Sequence, residues 1–368
     1  MSAAERSYMR QALRLAARGR GWTSPNPVVG AVVVRDGRVV GTGYHERYGG
    51  NHAEVNALRE AGEDARGSTL YVTLEPCCVS GNTPPCTEAI VRSGIARVVV
   101  PVRDPNPDVD GRGLVALREA GVEVSEGVMS DEATRLNGPY FTRRRTGLPL
   151  VTLKLALSAD GRLASPKGGP RWTSGPESRR MVHAMRSESD CVMVGVGTVL
   201  LDDPLLTDRR SPEPSRQPAR LILDSELRTP IESAIVRSAG EVRTWIACSD
   251  RADRDREGGL TAAGVNVWRC ETDRDGVVIE SALRRAPDNG VNAVLAEGGR
   301  LVASSLLERG LVGRLSLFIA PVLYGSAGTE AFSELPSSLW EAPGALTDIR
   351  WTKVGRDVLL EASVGNGT

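Results

Sequence analysis

The sequence predicts an α/β protein built from two domains. Strand-like apolar runs alternate with helix-like amphipathic ones along nearly the whole chain. The 368 residues exceed what one core ordinarily holds. A charged stretch with Gly and Pro, "FTRRRTGLP" (141–149), separates two such runs and suits a linker. The expected domains are 1–146 and 147–368.

In the first domain, "MSAAERSYMRQALRLAARGRG" spaces apolar residues helically among charges and reads as an opening helix. It lacks the continuous apolar segment of a secretory signal, and its arginines leave a transit peptide as the lesser reading. From Ala31, "AVVVRDGRVVGTGY" sets two β-branched runs around Asp36-Gly37, a hairpin signature. "HAEVNALREAG" places Ala53, Ala57, Leu58 and Ala61 on one helical face. "TLYVTL" (69–74) is a short buried strand. "CTEAIVRSG" (86–94) is a helix entered through Pro84-Pro85 and left at Gly94. "ARVVVPV" is a strand, "DPNPDVDGRG" a turn-rich loop, "LVALREAG" a helix and "VEVSEGV" a strand.

The second domain opens on the strand "LVTLKLALS" (150–158). "SGPESRRMVHAMRSES" is a helix with Ser174 or Gly175 as N-cap and Pro176 near its first turn. "CVMVGV", "ARLILD", "RTWIAC", "VNVWRC" and "NAVLAE" are strands and "GRLVASSLLERG" is a helix. "LSLFIAPVL" and "DVLLEASV" are strands near the end, and "TDRRSPEPSRQP" (207–218) is a polar loop.

Composition excludes several classes. No run of 18 apolar residues exists, so no membrane span is expected. A formal net charge of zero removes the simplest electrostatic case for binding long nucleic acid. Six cysteines are too few for a disulfide scaffold. The expected compartment is the reducing cytoplasm, with thiols free or metal-bound. Only three residues are lysine (Lys154, Lys167 and Lys353), which makes Lys154, inside an apolar strand, conspicuous.

His52, Glu54, Cys77 and Cys86 form the first chemical constellation. Imidazole and thiolate are preferred zinc ligands, and three protein ligands leave the fourth position of a catalytic zinc open. Cysteines near helix starts ionise readily. Glu54 lies two residues from His52, about 200° around a helix, so both serve one centre only if it sits off the helix end. A carboxylate there suits proton transfer. The order H-x-E followed by P-C is that of zinc deaminases. A Cys77–Cys86 disulfide and a closed structural zinc site are the competing readings. The first conflicts with the compartment, and the second needs adjacent cysteines on one metal.

"NHAEVNAL" with "TLEPCCVSGNTPPC" resembles the deaminase half of the bifunctional riboflavin-biosynthesis family. That family joins a diaminohydroxyphosphoribosylaminopyrimidine deaminase to a 5-amino-6-(5-phosphoribosylamino)uracil reductase. Eight residues separate Cys77 from Cys86, where nucleic-acid deaminases have two. "SPNPVVGAVVV" (24–34) and "DPNP" (104–107) are similar to the family as well. The resemblance implies a cytidine-deaminase-like three-layer domain. It also implies zinc on His52, Cys77 and Cys86, with Glu54 as proton shuttle and Asn26, Asp104 and Asn106 near the substrate. Cys78 stands where the family often has a small polar residue, and is expected to be a bystander.

No G-x-G-x-x-G follows a strand in the second half, so a Rossmann site is not supported. The stretches "LKLALSADGRLA", "RWTS", "MRSESDCVMVGVGTVLLDDPLLT", "LILDS" and "AEGGRLVASSL" instead resemble, in order, the family's reductase. This implies a dihydrofolate-reductase-like α/β domain using NADPH. Ala156, Trp172, Thr198, Asp202, Ser225 and Gly299 would line the cofactor. Arg186, Leu206, Arg209 and Glu297 would hold the phosphoribosyl substrate, arginine suiting a terminal phosphate. Glycines at the turn before "RLVASSLLERG" leave bare N–H groups for phosphate. From its place in an apolar strand, Lys154 would orient or polarise the sugar carbonyl, or else reach the surface at the strand end.

The partner expected is a small phosphoribosylaminopyrimidine, with no nucleic acid and no membrane, in a homo-oligomer. Two rival readings exist. A nucleoside or nucleic-acid deaminase with an unrelated appendage conflicts with neutral charge, 4% aromatics and the long cysteine spacing. A zinc-stabilised binding module has no need of Glu54.

Overall fold

A computed structural model describes residues 2–80, 84–165, 169, 172–210, 216–274, 276–339, 341 and 344–365. Gly81–Thr83 of the "GNTPPC" stretch, Arg171 of "RWTS" and 211–215 of the polar loop lie outside the described residues. The chain divides into two compact units, Met1–Gly147 and Leu148–Thr368. No helix among the described residues is long and apolar enough to cross a membrane.

The first unit has three layers. Helix α1 (Ala3–Ala16) opens with a Ser2–Glu5 capping box. The hairpin β1 (Gly30–Arg35) and β2 (Arg38–Tyr44) turns at Asp36-Gly37. Then come α2 (Ala53–Ala61), β3 (Thr69–Val72), α3 (Cys86–Arg92), β4 (Arg97–Val100), α4 (Arg112–Glu119), β5 (Glu123–Glu126) and α5 (Ser130–Leu136). The sheet order is β2-β1-β3-β4-β5, with β3, β4 and β5 parallel and β1 antiparallel to both neighbours. Alternation along β1 divides the two cores. Ala31 and Val33 face Ala53, Ala57, Ile90 and Leu114 on α2, α3 and α4. Val32 and Val34 face Met9 and Ala12 on α1.

Helix α2 lies on β2 with almost no space between the backbones. A Cβ at Gly41 would sit 2.3 Å from the Ala57 carbonyl oxygen, and one at Gly43 2.4 Å from that of Ala53. Two absent side chains on one face of β2 therefore set the height of the helix that begins beside His52.

The stretch expected to be a linker is helical up to Thr146: α6 runs Gly138–Thr146. Pro139 suits its first turn, and Tyr140 and Phe141 are buried beside Leu74. Arg143, Arg144 and Arg145 fall in the last turn, where the helix dipole favours cations. The charge run that suggested a linker is one end of a helix.

The second unit begins with β6 (Leu150–Ser158), β7 (Arg162–Ala164), α7 (Pro176–Glu188), β8 (Cys191–Gly195) and α8 (Val196–Asp202). It continues with β9 (Ala219–Leu223), α9 (Ala234–Arg237), β10 (Thr244–Ser249), α10 (Arg254–Ala262) and β11 (Asn266–Cys270). A small ribbon, β12 (Thr272–Asp273) and β13 (Gly276–Val277), precedes α11 (Ile279–Arg285), β14 (Ala293–Ala296) and α12 (Arg300–Glu308). The last elements are β15 (Val312–Ala320), β16 (Thr329–Glu330), β17 (Leu346–Val354) and β18 (Asp357–Val364).

Nine strands form one sheet in the order β11-β10-β9-β8-β14-β6-β15-β18-β17. All pairings from β11 to β15 are parallel, and β18 and β17 close the sheet antiparallel. Alternate residues of β6 (Val151, Leu153, Leu155 and Leu157) enter a core with α11 and α12. The intervening positions, Lys154 and Ala156 among them, face the α7 side, where Ala156 packs by Val182 and Phe318. The chain steps outward from β6 through β8 to β11, then returns to insert β14 between β6 and β8. Ligand crevices of such sheets open at the carboxyl ends of the strands around a reversal of this kind.

Candidate active sites

In the first unit, His52 is the N-cap of α2 with extended backbone (φ −71°, ψ 160°), so it stands off the helix end while Glu54 is in the first turn. This removes the divergence that two helical positions would impose. The His52 Nδ1 lies 3.1 Å from the Cys86 Sγ and 3.5 Å from the Cys77 Sγ. The three donor atoms all fall within 4.8 Å of one another. Cys86 begins α3, and its backbone N–H donates to the Cys77 sulfur at 3.3 Å.

Hydrogen bonding from Cys86, helped by His52, pulls the Cys77 pKa down to about 4 against the cost of burial. The same contact and burial push Cys86 up. Bonding to Cys77 raises His52. Glu54 is 3% exposed. Burial, then the nearby Cys77 thiolate, push its carboxyl up to about 7, and it hydrogen-bonds Cys86. One imidazole and two sulfurs at this separation suit a tetrahedral zinc with one open position. The Cys78 sulfur is outside the cluster, 4.0 Å from the Asp108 carbonyl.

The Asn26 amide donates to His45 Nε2 at 3.3 Å, and His45 Nδ1 donates to the Asn51 carbonyl at 2.9 Å. His45 is buried and meets His52 edge-to-face, with ring centroids 5.4 Å apart. No ligand spacing in "GYHERY" marks it in the sequence, and its place beside His52 exists only in three dimensions. Asp104 is buried too. Its Oδ1 accepts from the Asn106 N–H and the Tyr140 hydroxyl, both at 2.9 Å.

In the second unit, Lys154, Arg186 and Glu297 converge. Arg186 donates through Nε to Glu297 Oε1 at 2.6 Å and through Nη2 to Oε2 at 3.0 Å, and Lys154 Nζ lies 3.6 Å from Oε2. Arg186 also donates to the Thr207 carbonyl at 3.0 Å. Burial lowers the Lys154 pKa, against the opposing pull of Glu297. Glu297 follows β14, Thr198 follows β8 and Ser225 follows β9, all near the carboxyl edge.

Gly299 is the N-cap of α12, which has no side-chain cap, so phosphate oxygens could take its first-turn amides. Trp172 is 55% exposed, with the Arg179 guanidinium 5.6 Å from its ring centroid. Three residues sit differently from the others. Leu206 is buried in the core beside Val194 and Ile222 with φ +54°, so its side chain packs into the core and does not line an open site. Asp202 ends α8, a helix away from the strand edge. The Ser225 hydroxyl already accepts the Val277 N–H at 2.9 Å. Arg209 is exposed, its backbone N–H on His183 Nδ1 at 3.1 Å.

Comparison with known proteins follows the division of the chain. Residues 2–102 match the cytidine and deoxycytidylate deaminase zinc-binding region, and 149–360 the RibD C-terminal domain. The riboflavin biosynthesis protein RibD of Escherichia coli is 45% identical over 331 residues, covering 87% of this chain and 88% of that protein. The Bacillus amyloliquefaciens RibD is 42% identical over 366 residues, covering 99% and 97%.

The chain belongs to the RibD family.

Deaminase and reductase domains of riboflavin biosynthesis are thus joined in one polypeptide. Acinetobacter baumannii RibD has the same fold, with a TM-score of 0.87 at 34% identity over 99% of both chains. A Thermotoga maritima diaminohydroxyphosphoribosylaminopyrimidine deaminase/5-amino-6-(5-phosphoribosylamino)uracil reductase gives 0.86 at 35% identity, over 98% of this chain and 99% of that one. The RibD C-terminal match spans the crevice of Lys154, Arg186 and Glu297, and the zinc-binding match spans His52, Cys77 and Cys86.

Proposed function

We propose that the first unit hydrolyses the 2-amino group of 2,5-diamino-6-(5-phosphoribosylamino)pyrimidin-4-one and that the second reduces the ribosyl chain of the product to ribityl with NADPH. The observation that carries the first half is the meeting of His52, Cys77 and Cys86 donor atoms within 4.8 Å, beside the buried Glu54. His52, Cys77 and Cys86 would hold zinc, which when bound lowers the pKa of water toward neutrality. Glu54, buried beside Cys86, takes the proton of the attacking water and passes it to the departing amine. The new C–O bond replaces the C–N bond and ammonia leaves. Asn26, held by His45, and the Asp104–Asn106 turn orient the pyrimidine.

In the second unit, Ala156, Trp172, Thr198, Ser225 and Gly299 would border NADPH, which supplies the hydride for ribose C1′. Asp202 is placed there by family resemblance alone. Arg186 and the exposed Arg209 hold the phosphoribosyl group, and Leu206 is placed there by family resemblance alone. Lys154, anchored by Glu297, orients the sugar oxygen.

A coupled assay on the diaminopyrimidine, following ammonia release and NADPH oxidation with metal analysis, tests both halves. About one zinc per chain, ammonia release and dependent NADPH loss are expected. Ammonia release at full rate from a zinc-free chain would refute the first half, and reduction without a nicotinamide cofactor the second.

A further inference from the structure

Glu75 stands two residues before Cys77 and is 3% exposed. Its carboxylate collects backbone N–H groups from a segment about thirty to forty residues further along. Oε2 accepts from Asp104 at 3.1 Å and Gly111 at 2.9 Å, and Oε1 from Gly113 at 2.9 Å and Leu114 at 3.4 Å. Gly111 is the N-cap of α4, so the anion sits where the helix dipole favours it. The joint is tight in backbone as well: a Cβ at Gly113 would lie 2.1 Å from the Pro76 carbonyl oxygen. The same segment runs past the cysteine pair, with the Asp108 carbonyl 4.0 Å from the Cys78 sulfur. Its turn carries Asp104 and Asn106, secured on the other side by the Tyr140 hydroxyl.

We propose that Glu75 is a positioning residue of the deamination, fixing the Asp104–Asn106 turn to the strand end that carries Cys77. One carboxylate couples the segment before Cys77 to the Asp104–Asn106 turn, because it is covalently part of the first and hydrogen-bonded to the backbone of the second. The inference rests on the deaminase reading of the first unit.

Glu75→Gln keeps the size of the side chain but turns one acceptor into a donor facing N–H groups. The experiment measures zinc content, ammonia release and NADPH oxidation in the full-length chain. Zinc stays at about one per chain and the reductase is unchanged. The deaminase KM rises about tenfold, with kcat within about twofold. Gly113→Ala presses on the same joint from the other side and carries the same expectation, so misfolding of one variant leaves the test intact. Wild-type KM in whichever variant folds with its zinc overturns the proposal. So does loss of zinc and activity together, which would make Glu75 a residue of the fold alone. A zinc-loaded wild-type chain that releases no ammonia from the diaminopyrimidine overturns the underlying reading along with it.

Discussion

Arg186 grips Glu297 side-on, with two hydrogen bonds of 2.6 and 3.0 Å between residues 111 positions apart. Burial alone would raise the Glu297 pKa, but Arg186 and Lys154 outweigh it and hold the carboxyl at about 2, below its ordinary 4.5. As pH falls, the unfolded chain takes up this proton first. The stabilisation is therefore complete above about pH 4.5 and is lost as pH falls toward about 2. Thermal unfolding followed across this window is expected to steepen in the wild type and to flatten in Glu297→Gln. Equal slopes in the two would show that the pair does not contribute.

Lys154→Met separates chemistry from packing. The Glu297 carboxylate keeps its bidentate partner Arg186, and an apolar chain replaces an ammonium that burial disfavours. Stability is expected to change by less than about 1 kcal/mol. NADPH-dependent turnover is expected to fall about 100-fold. A loss of stability with full turnover would assign Lys154 to the scaffold.

Glu54→Gln retains the shape of a side chain packed against Cys86 but cannot carry a proton. Zinc content should stay at about one per chain, and ammonia release should fall by about 1000-fold or more. The reductase, measured on already deaminated substrate, should be untouched. Wild-type ammonia release would remove Glu54 from proton transfer.

The doubled cysteine gives a paired test. Cys77→Ser removes a sulfur that accepts from the Cys86 N–H and faces His52. Its zinc is expected to drop at least tenfold in occupancy after dialysis against a chelator. Cys78→Ser changes a sulfur outside the cluster and should retain the metal. The reverse order of loss would exchange their roles.

Much of this was legible in the residues because it is local. The run "LVTLKLALS" coincides with β6, Gly175 and Pro176 open α7, and the Asp36-Gly37 hairpin turns as its residues require. The metal-type residues announced themselves by identity and order. What was hidden depends on partners distant in sequence. Tyr140 and Phe141 made α6 a docked helix, although three arginines after them look like a linker. Strand β17, "LTDIRWTKV", is exposed at nearly every position, so no alternation of burial marked it; it is held by its ladder with β18. His45 and Glu75 are tied to Asn26 and to the main chain of 104–114 by hydrogen bonds that no spacing rule encodes.

The two glycines beneath α2 extend this to how the gene can vary. Gly43 lies under Ala53, between His52 and Glu54 in the chain, with no room for even a methyl group. A single-nucleotide change to alanine there would lift the whole helix and carry both side chains with it. Screens for riboflavin auxotrophs should therefore recover lesions at Gly41 and Gly43, on a strand that bears no ligand at all.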